Sequence, residues 1–115
     1  MRRGEIRLVD FEPALGAESN KRRPAVIVSN DGANGTAERL GRGVLTVVPI
    51  TSNITRVYPF QVRLRAQDTG LPRDSKAQAE QIRSVAIERI GRQAGQVPAA
   101  RMAELNAAIR LHLGL

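Results

Sequence analysis

Two short apolar runs limit what this chain can fold into. Arg23-Pro24-Ala25-Val26-Ile27-Val28-Ser29-Asn30 and Val44-Leu45-Thr46-Val47-Val48-Pro49-Ile50-Thr51-Ser52 are brief and rich in β-branched residues, which predicts two buried strands. Polar groups sit at their ends: Arg23 at the mouth of the first run, Thr51 and Ser52 at the close of the second. A guanidinium fork beside hydroxyls on a rigid sheet is suited to gripping a phosphate.

Around these runs the pattern is that of a small β protein. Gly4-Glu5-Ile6-Arg7-Leu8-Val9-Asp10 alternates apolar Ile6 and Leu8 with polar Glu5 and Arg7, a half-buried strand ended by Glu12-Pro13. A charged stretch from Gly16 to Arg23 and the segment Asp31-Gly32-Ala33-Asn34-Gly35-Thr36 read as loops, with one helical turn at Ala37–Leu40. Phe60, Val62 and Leu64 point inward on a further strand, with Gln61, Arg63 and Arg65 outward. Asp74–Val85 reads as helix by propensity, being rich in Lys, Ala, Gln and Glu. At the C-terminus Pro98 opens a helix with the stripe Met102, Leu105, Ile109 and Leu113, and Gly114 stops it. Several short strands and a terminal helix predict a mainly β, α+β fold: a small, strongly curved barrel or sandwich. The 115 residues fit one domain, 1–115.

Composition narrows the chemistry. The chain carries 18 Lys and Arg against 11 Asp and Glu, a net charge of +7, and only Lys21 and Lys76 are lysines. An Arg-dominated surplus leans toward nucleic acid. There is no Cys, hence no disulfide or thiolate metal site. No apolar stretch approaches the roughly 20 residues that cross a bilayer, and there is no signal-peptide pattern, so a cytoplasmic protein with no membrane partner is expected. His112 is the only histidine, which argues against Ser–His–Asp catalysis and His-rich metal sites. Gly41-Arg42-Gly43 lacks the spacing of a phosphate-binding loop.

RNA cleavage by its own 2′-hydroxyl suits what is left. The protein then supplies no nucleophile; it orients the backbone, stabilises the phosphorane and manages two protons. Arg23 fits the charge requirement, Thr51 can donate to a non-bridging oxygen, and a carboxylate such as Glu18 or Glu80 can assist with protons. The residues alone leave an ordinary alternative open, in which Arg23 is a surface cation before a Pro-capped strand and Thr51 bonds nearby backbone.

In sequence order, Arg3-Gly4-Glu5-Ile6, Gly16 and Glu18, Arg23 to Asp31, Val48-Pro49-Ile50-Thr51-Ser52, Asp74-Ser75 and Glu80-Gln81-Ile82-Arg83 resemble the MazF/PemK family of toxin endoribonucleases. The resemblance implies an SH3-like β-barrel with a C-terminal helix, working as a homodimer without cofactor or metal. It implies sequence-specific cleavage of single-stranded RNA to 2′,3′-cyclic phosphate and 5′-hydroxyl ends, independent of the ribosome. It makes Arg23 and Thr51 the catalytic pair, with Glu18, Ser52 and Glu80 as supporting residues, and makes the Glu80–Arg83 stretch a strand. Lys21, Arg22, Asn53 and Arg56 become RNA-binding residues, and Phe11 and Tyr58 possible stacking residues, with Phe11 better suited to the core. A MazE-like antitoxin with an acidic, disordered segment is the implied partner. The PemK/Kid branch uses a His, an Arg and an Asp where this chain has Ala17, Gln78 and Glu80, so that branch's residue set does not transfer. The alternatives are a nuclease-inactive member that binds nucleic acid or antitoxin, and a CcdB-like gyrase poison. The absence of Trp and the Leu113-Gly114-Leu115 ending oppose the latter.

Overall fold

The two apolar runs lie side by side as antiparallel neighbours. The computed structural model describes residues 1–11 and 22–115. Its strands are β1 (Glu5–Val9), β2 (Arg23–Ile27), β3 (Val44–Thr51), β4 (Gln61–Leu64), β5 (Ser75–Gln78), β6 (Arg83–Ala86) and β7 (Ile90–Gln96). The α-helices among the described residues are α1 (Asp31–Leu40), the one-turn α2 (Ala66–Thr69) and α3 (Ala99–Leu113), and short 3₁₀ turns lie at Ala79–Gln81 and Ile87–Arg89. The sheet runs β4-β5-β3-β2-β1-β7, and β6 pairs with the first half of β3 while β5 pairs with its end.

β2 and β3 are apolar almost throughout because both of their faces are covered. Val26, Val48 and Ile50 join Ile6, Val62, Leu64, Leu105 and Ala108 in one cluster under α3. Ala25, Ile27, Leu45 and Val47 point the other way, into a second cluster with Val9, Ala37 of α1, Val85 and Ile87. Each fully buried Val, Leu or Ile side chain contributes about 1.5–3 kcal/mol. The sheet curls until its outer strands approach without closing: no ladder joins β4 to β7 among the described residues. Instead the Thr69 carbonyl of α2 lies where a Cβ at Gly95 of β7 would stand, a contact that only glycine permits. The predicted curved, barrel-like β fold with a C-terminal helix is what forms.

Several local expectations change. Asp31–Thr36 is the first part of a ten-residue helix, α1, and not a loop. The Asn30 side chain accepts from the Ala33 N–H at 2.8 Å, a helix N-cap that outweighs Gly32 and Gly35. Ser75–Val85 is not helical: β5 and β6 flank a short 3₁₀ turn at Ala79–Gln81, so Glu80 and Gln81 lie in the turn. Strand pairing with β3 and β4 overrides helix propensity here. In β1, Val9 is buried and Leu8 only half-buried, because two register shifts against β7 break the alternation. Gln61 is buried, not outward. In α3, Leu105 and Ala108 face the core, Met102 and Ile109 flank them, and Leu113 is 50% exposed. Gly114, at φ +73°, ends that helix as anticipated.

One position in β3 repays attention to polarity. Val28 N–H donates to Thr46 O at 2.9 Å, so even-numbered residues of β3 turn their backbone groups to β2 and odd-numbered ones to the opposite edge. On that edge the β6 ladder ends at Val47↔Arg83 and the β5 ladder begins at Ile50↔Ala77. Pro49 lacks its N–H where β3 has no strand partner to receive it.

Candidate functional site

Strand register assembles the site. Val9 pairs with Arg23, Thr51 with Lys76, and Lys76 with Arg63. The β2–β3 ladder ends with Ala25 opposite Pro49, and Arg23 and Thr51 lie two residues beyond that pair, at the same end of the two strands. Two stretches of a row, Val9–Arg23 and Thr51–Lys76–Arg63, thus meet where β2 starts and β3 ends. Neighbours in such a row are about 4.5–5.5 Å apart at Cα and share a face. It is the face that carries Val9, Ala25, Ile27, Leu45 and Val47 into the second core cluster, and at this row it turns from apolar to cationic and hydroxylic.

Arg23 is exposed, and its side chain makes no hydrogen bond or ion pair with any described residue. Thr51 is half-buried at the last position of β3. Its Oγ1 accepts from the Asn53 N–H at 3.2 Å, the ordinary strand-end role open to it. The Thr51 hydroxyl proton remains able to point elsewhere. Ser52 and Asn53 follow, both exposed, and Asn53 Oδ1 accepts from the Thr55 N–H at 3.3 Å. Arg56 is exposed on the same connection. Arg23, Thr51, Ser52, Asn53 and Arg56 thus gather around the ends of β2 and β3.

Other predicted site residues fall elsewhere. The Arg22 guanidinium lies over Gly91 of β7, where any Cβ would collide with it, so Arg22 leans across β1 and away from Thr51. Glu80 Oε2 accepts from Gln61 Nε2 at 2.7 Å, while its Oε1 is buried without a hydrogen-bond partner among the described residues. Its partner is therefore on β4, not on β2 or β3. Glu18 and Lys21 lie outside the described residues. Phe11 packs against the second core cluster with the Arg83 guanidinium 5.2 Å from its ring, in keeping with the core role expected of it. Tyr58, 43% exposed, stacks on Phe60 with ring centroids 5.3 Å apart.

Sequence reasoning missed Lys76. It is 8% exposed, donates from Nζ to the Arg56 carbonyl at 2.6 Å, and lies 5.9 Å from the Tyr58 ring centroid. The available signal was a lone lysine inside Ser75–Gln78, a segment with no other charge. Next to this corner a groove of about 460 Å³ separates β4 from α3, lined by Val57, Pro59, Val62, Ala108 and Leu111 among others. Among the described residues no three His, Asp or Glu side chains converge as a metal-binding group. Among the described residues no helix is long and apolar enough to cross a membrane.

Comparison with known proteins adds to this geometry. Residues 2–113 match the family described as PemK-like, MazF-like toxin of type II toxin–antitoxin system. The chain is 65% identical over 115 residues to endoribonuclease MazF9 of Mycobacterium tuberculosis, covering all of this chain and 98% of that one. It is 33% identical to endoribonuclease MazF of Staphylococcus saprophyticus, covering 100% and 92%. Among solved structures, a mycobacterial endoribonuclease in complex with its cognate antitoxin superposes with TM-score 0.78 at 25% identity, covering 100% and 96%. A MazE–MazF structure from Deinococcus radiodurans superposes with TM-score 0.77 at 28% identity, covering 100% and 97%.

Proposed function

The chain belongs to the PemK-like, MazF-like toxin family of type II toxin–antitoxin systems and is an endoribonuclease; from that premise we propose that it cuts single-stranded RNA at short specific sequences, without metal or ribosome. The 2′-hydroxyl attacks the adjacent phosphorus, giving a 2′,3′-cyclic phosphate and releasing a 5′-hydroxyl. Arg23 pairs with the phosphorane oxygens through its guanidinium fork, and Thr51 donates its hydroxyl proton to a non-bridging oxygen. A guanidinium has donors and no acceptor and keeps its proton, so the role of Arg23 is to stabilise charge. Ser52 offers a second hydroxyl, and Asn53 and Arg56 contact the flanking nucleotides.

The observation that supports this reading is the antiparallel β2–β3 pairing: its last pair, Ala25 and Pro49, lies two residues from Arg23 and Thr51, so an exposed Arg23, bonded to no described side chain, starts β2 at the end of the strand pair where Thr51 closes β3. The row needs no induced assembly, and preorganised donors are what a charged transition state rewards. We assign residues 1–115 to one toxin domain that works in the cytoplasm as a homodimer. A MazE-like antitoxin, acidic and disordered until bound, inhibits it. The exposed Leu111, Leu113 and Leu115 supply apolar surface for such assembly.

The test incubates purified protein with a long unstructured RNA in EDTA and maps the ends. Cuts at one short motif with 5′-hydroxyl ends, lost in Arg23→Ala, are the expected result. Intact RNA from folded, antitoxin-free protein across several substrates would overturn the proposal.

A further inference from the structure

The connection between β3 and β4, residues 52–60, has no helix or strand of its own and is largely exposed. A free segment of that length samples many conformations, at about 1–2 kcal/mol of backbone entropy per ordered residue. Backbone bonds hold its two ends, the Asn53 N–H donating to Thr51 Oγ1 at 3.2 Å and the Gln61 N–H to the Tyr58 carbonyl at 2.8 Å, and two side chains of the sheet hold its middle. Lys76 Nζ donates to the Arg56 carbonyl at 2.6 Å. The Tyr58 N–H donates to Gln61 Oε1 at 3.2 Å, and Gln61 is itself steadied by Glu80.

We infer that Lys76 is a positioning residue for RNA recognition: its buried ammonium pins the Asn53–Tyr58 segment in a fixed place relative to Thr51, its partner on the neighbouring strand. The inference rests on the reading of Arg23 and Thr51 as the RNA-cleaving site. Three observations carry it. Lys76 and Thr51 are register partners, so the loop anchor and the hydroxyl share one rigid ladder. The ammonium is spent on a carbonyl and lies near a ring face, 5.9 Å from the Tyr58 centroid, within cation–π reach. Finally, an interior ammonium is a poor way to stabilise a fold compared with an apolar side chain of similar volume, so its placement points to loop geometry.

Lys76 differs in this from a phosphate contact. A residue that neutralises a phosphate releases a counterion, and its loss flattens the salt dependence of binding. A residue that orders a reading loop acts on which bases fit, and leaves that slope alone.

The test compares wild type, Lys76→Met and Arg23→Ala on RNAs carrying the mapped cut motif and on single-base variants of it. Binding of the same strands with 2′-deoxyribose at the cut position reads discrimination independently of cleavage. Lys76→Met is expected to raise KM about tenfold, the scale of one lost charged hydrogen bond. Its kcat should stay within about threefold, its preference for the motif should fall about tenfold, and its salt slope should match wild type. Unchanged KM and preference in Lys76→Met would overturn the inference, and so would a collapse of kcat with a flatter salt slope, which would make Lys76 a phosphate contact. Wild-type activity in Arg23→Ala would instead remove the proposed cleavage site, and Lys76 would then be judged on discrimination in binding. If Lys76→Met does not fold, Gln61→Met loosens Tyr58 by removing the side-chain acceptor of its N–H, while the Gln61 N–H bond to the Tyr58 carbonyl stays. Its preference must relax in the same direction, and wild-type discrimination there overturns the inference.

Discussion

Thr51 is flanked by two cations in opposite circumstances. On the β2 side Arg23 is exposed and bonded to no described side chain. On the β5 side Lys76 is buried, donates to the Arg56 carbonyl and lies under Tyr58. Both lie on strands that neighbour β3, and the difference lies in what each side chain meets. Residue types suit these places: a guanidinium fork matches a phosphate, whereas an ammonium is a compact point donor for a single carbonyl. A cation left open can be given to a ligand. A cation already bonded is committed to shape.

The sharpest way to break this comparison is to remove the open side. Arg23→Ala should lower the rate of RNA cleavage about 10²–10³-fold, as loss of one oxyanion donor does. Its melting temperature should move by no more than about 2 °C, because the side chain is exposed. Thr51→Val, which keeps the shape and loses the hydroxyl, should cost about 10–100-fold in the same assay, and Thr51→Ser should recover most of it. Equal loss of rate and of melting temperature in Arg23→Ala would mean that its role is structural.

Salt gives the next effect in size. Binding of single-stranded RNA should weaken with salt, and Arg23→Ala should reduce the logarithmic slope by about 0.7, the value for one phosphate on a single strand. The Lys76 variant should keep the wild-type slope. Measured in parallel by fluorescence anisotropy, coincident slopes for all three proteins would show that Arg23 does not face a phosphate.

The smallest effect concerns how the committed side is built. Asp74, just before the strand that carries Lys76, accepts from the Ala66 N–H at 2.9 Å and lies 3.5 Å from Arg63. That backbone hydrogen bond, with help from Arg63, holds its pKa below the ordinary aspartate value of 3.8. A lowered folded-state value means that the carboxylate favours the folded chain above the ordinary pKa. That contribution fades as pH falls through the lowered one. Melting temperature followed between about pH 5 and 2 should therefore drop less steeply in Asp74→Asn than in wild type. Parallel curves would remove Asp74 from the account.

The legible parts of the molecule were those in which side chains repeat a simple pattern. β2 and β3 stand out because burial on both faces demands unbroken apolar runs, and their polar ends placed Arg23 and Thr51 in one neighbourhood. β7 left no such trace. Its Gly91 and Gly95 are there for the close approach of the Arg22 side chain and the Thr69 carbonyl, and Arg92, Gln93 and Gln96 give it no apolar alternation. Helix α1 was hidden by two glycines, although Asn30 ahead of Asp31 was a readable cap. Lys76 was out of reach for another reason: its importance lies in a contact across 20 residues of sequence with the Arg56 carbonyl, and backbone carbonyls have no sequence signature.

The vacancy opposite Pro49 has a consequence for the chain before it folds. Val44–Ile50 is an uncharged, β-branched segment, the kind that stacks with copies of itself when exposed. Pro49 interrupts its row of donors, and does so at a point where the native ladder asks for none. It therefore serves as a gatekeeper against aggregation while costing the finished sheet no hydrogen bond. Pro49→Val should fold to the same structure, yet return less soluble protein on dilution from denaturant, with a deficit that grows with concentration. Equal recovery at every concentration would deny Pro49 that office.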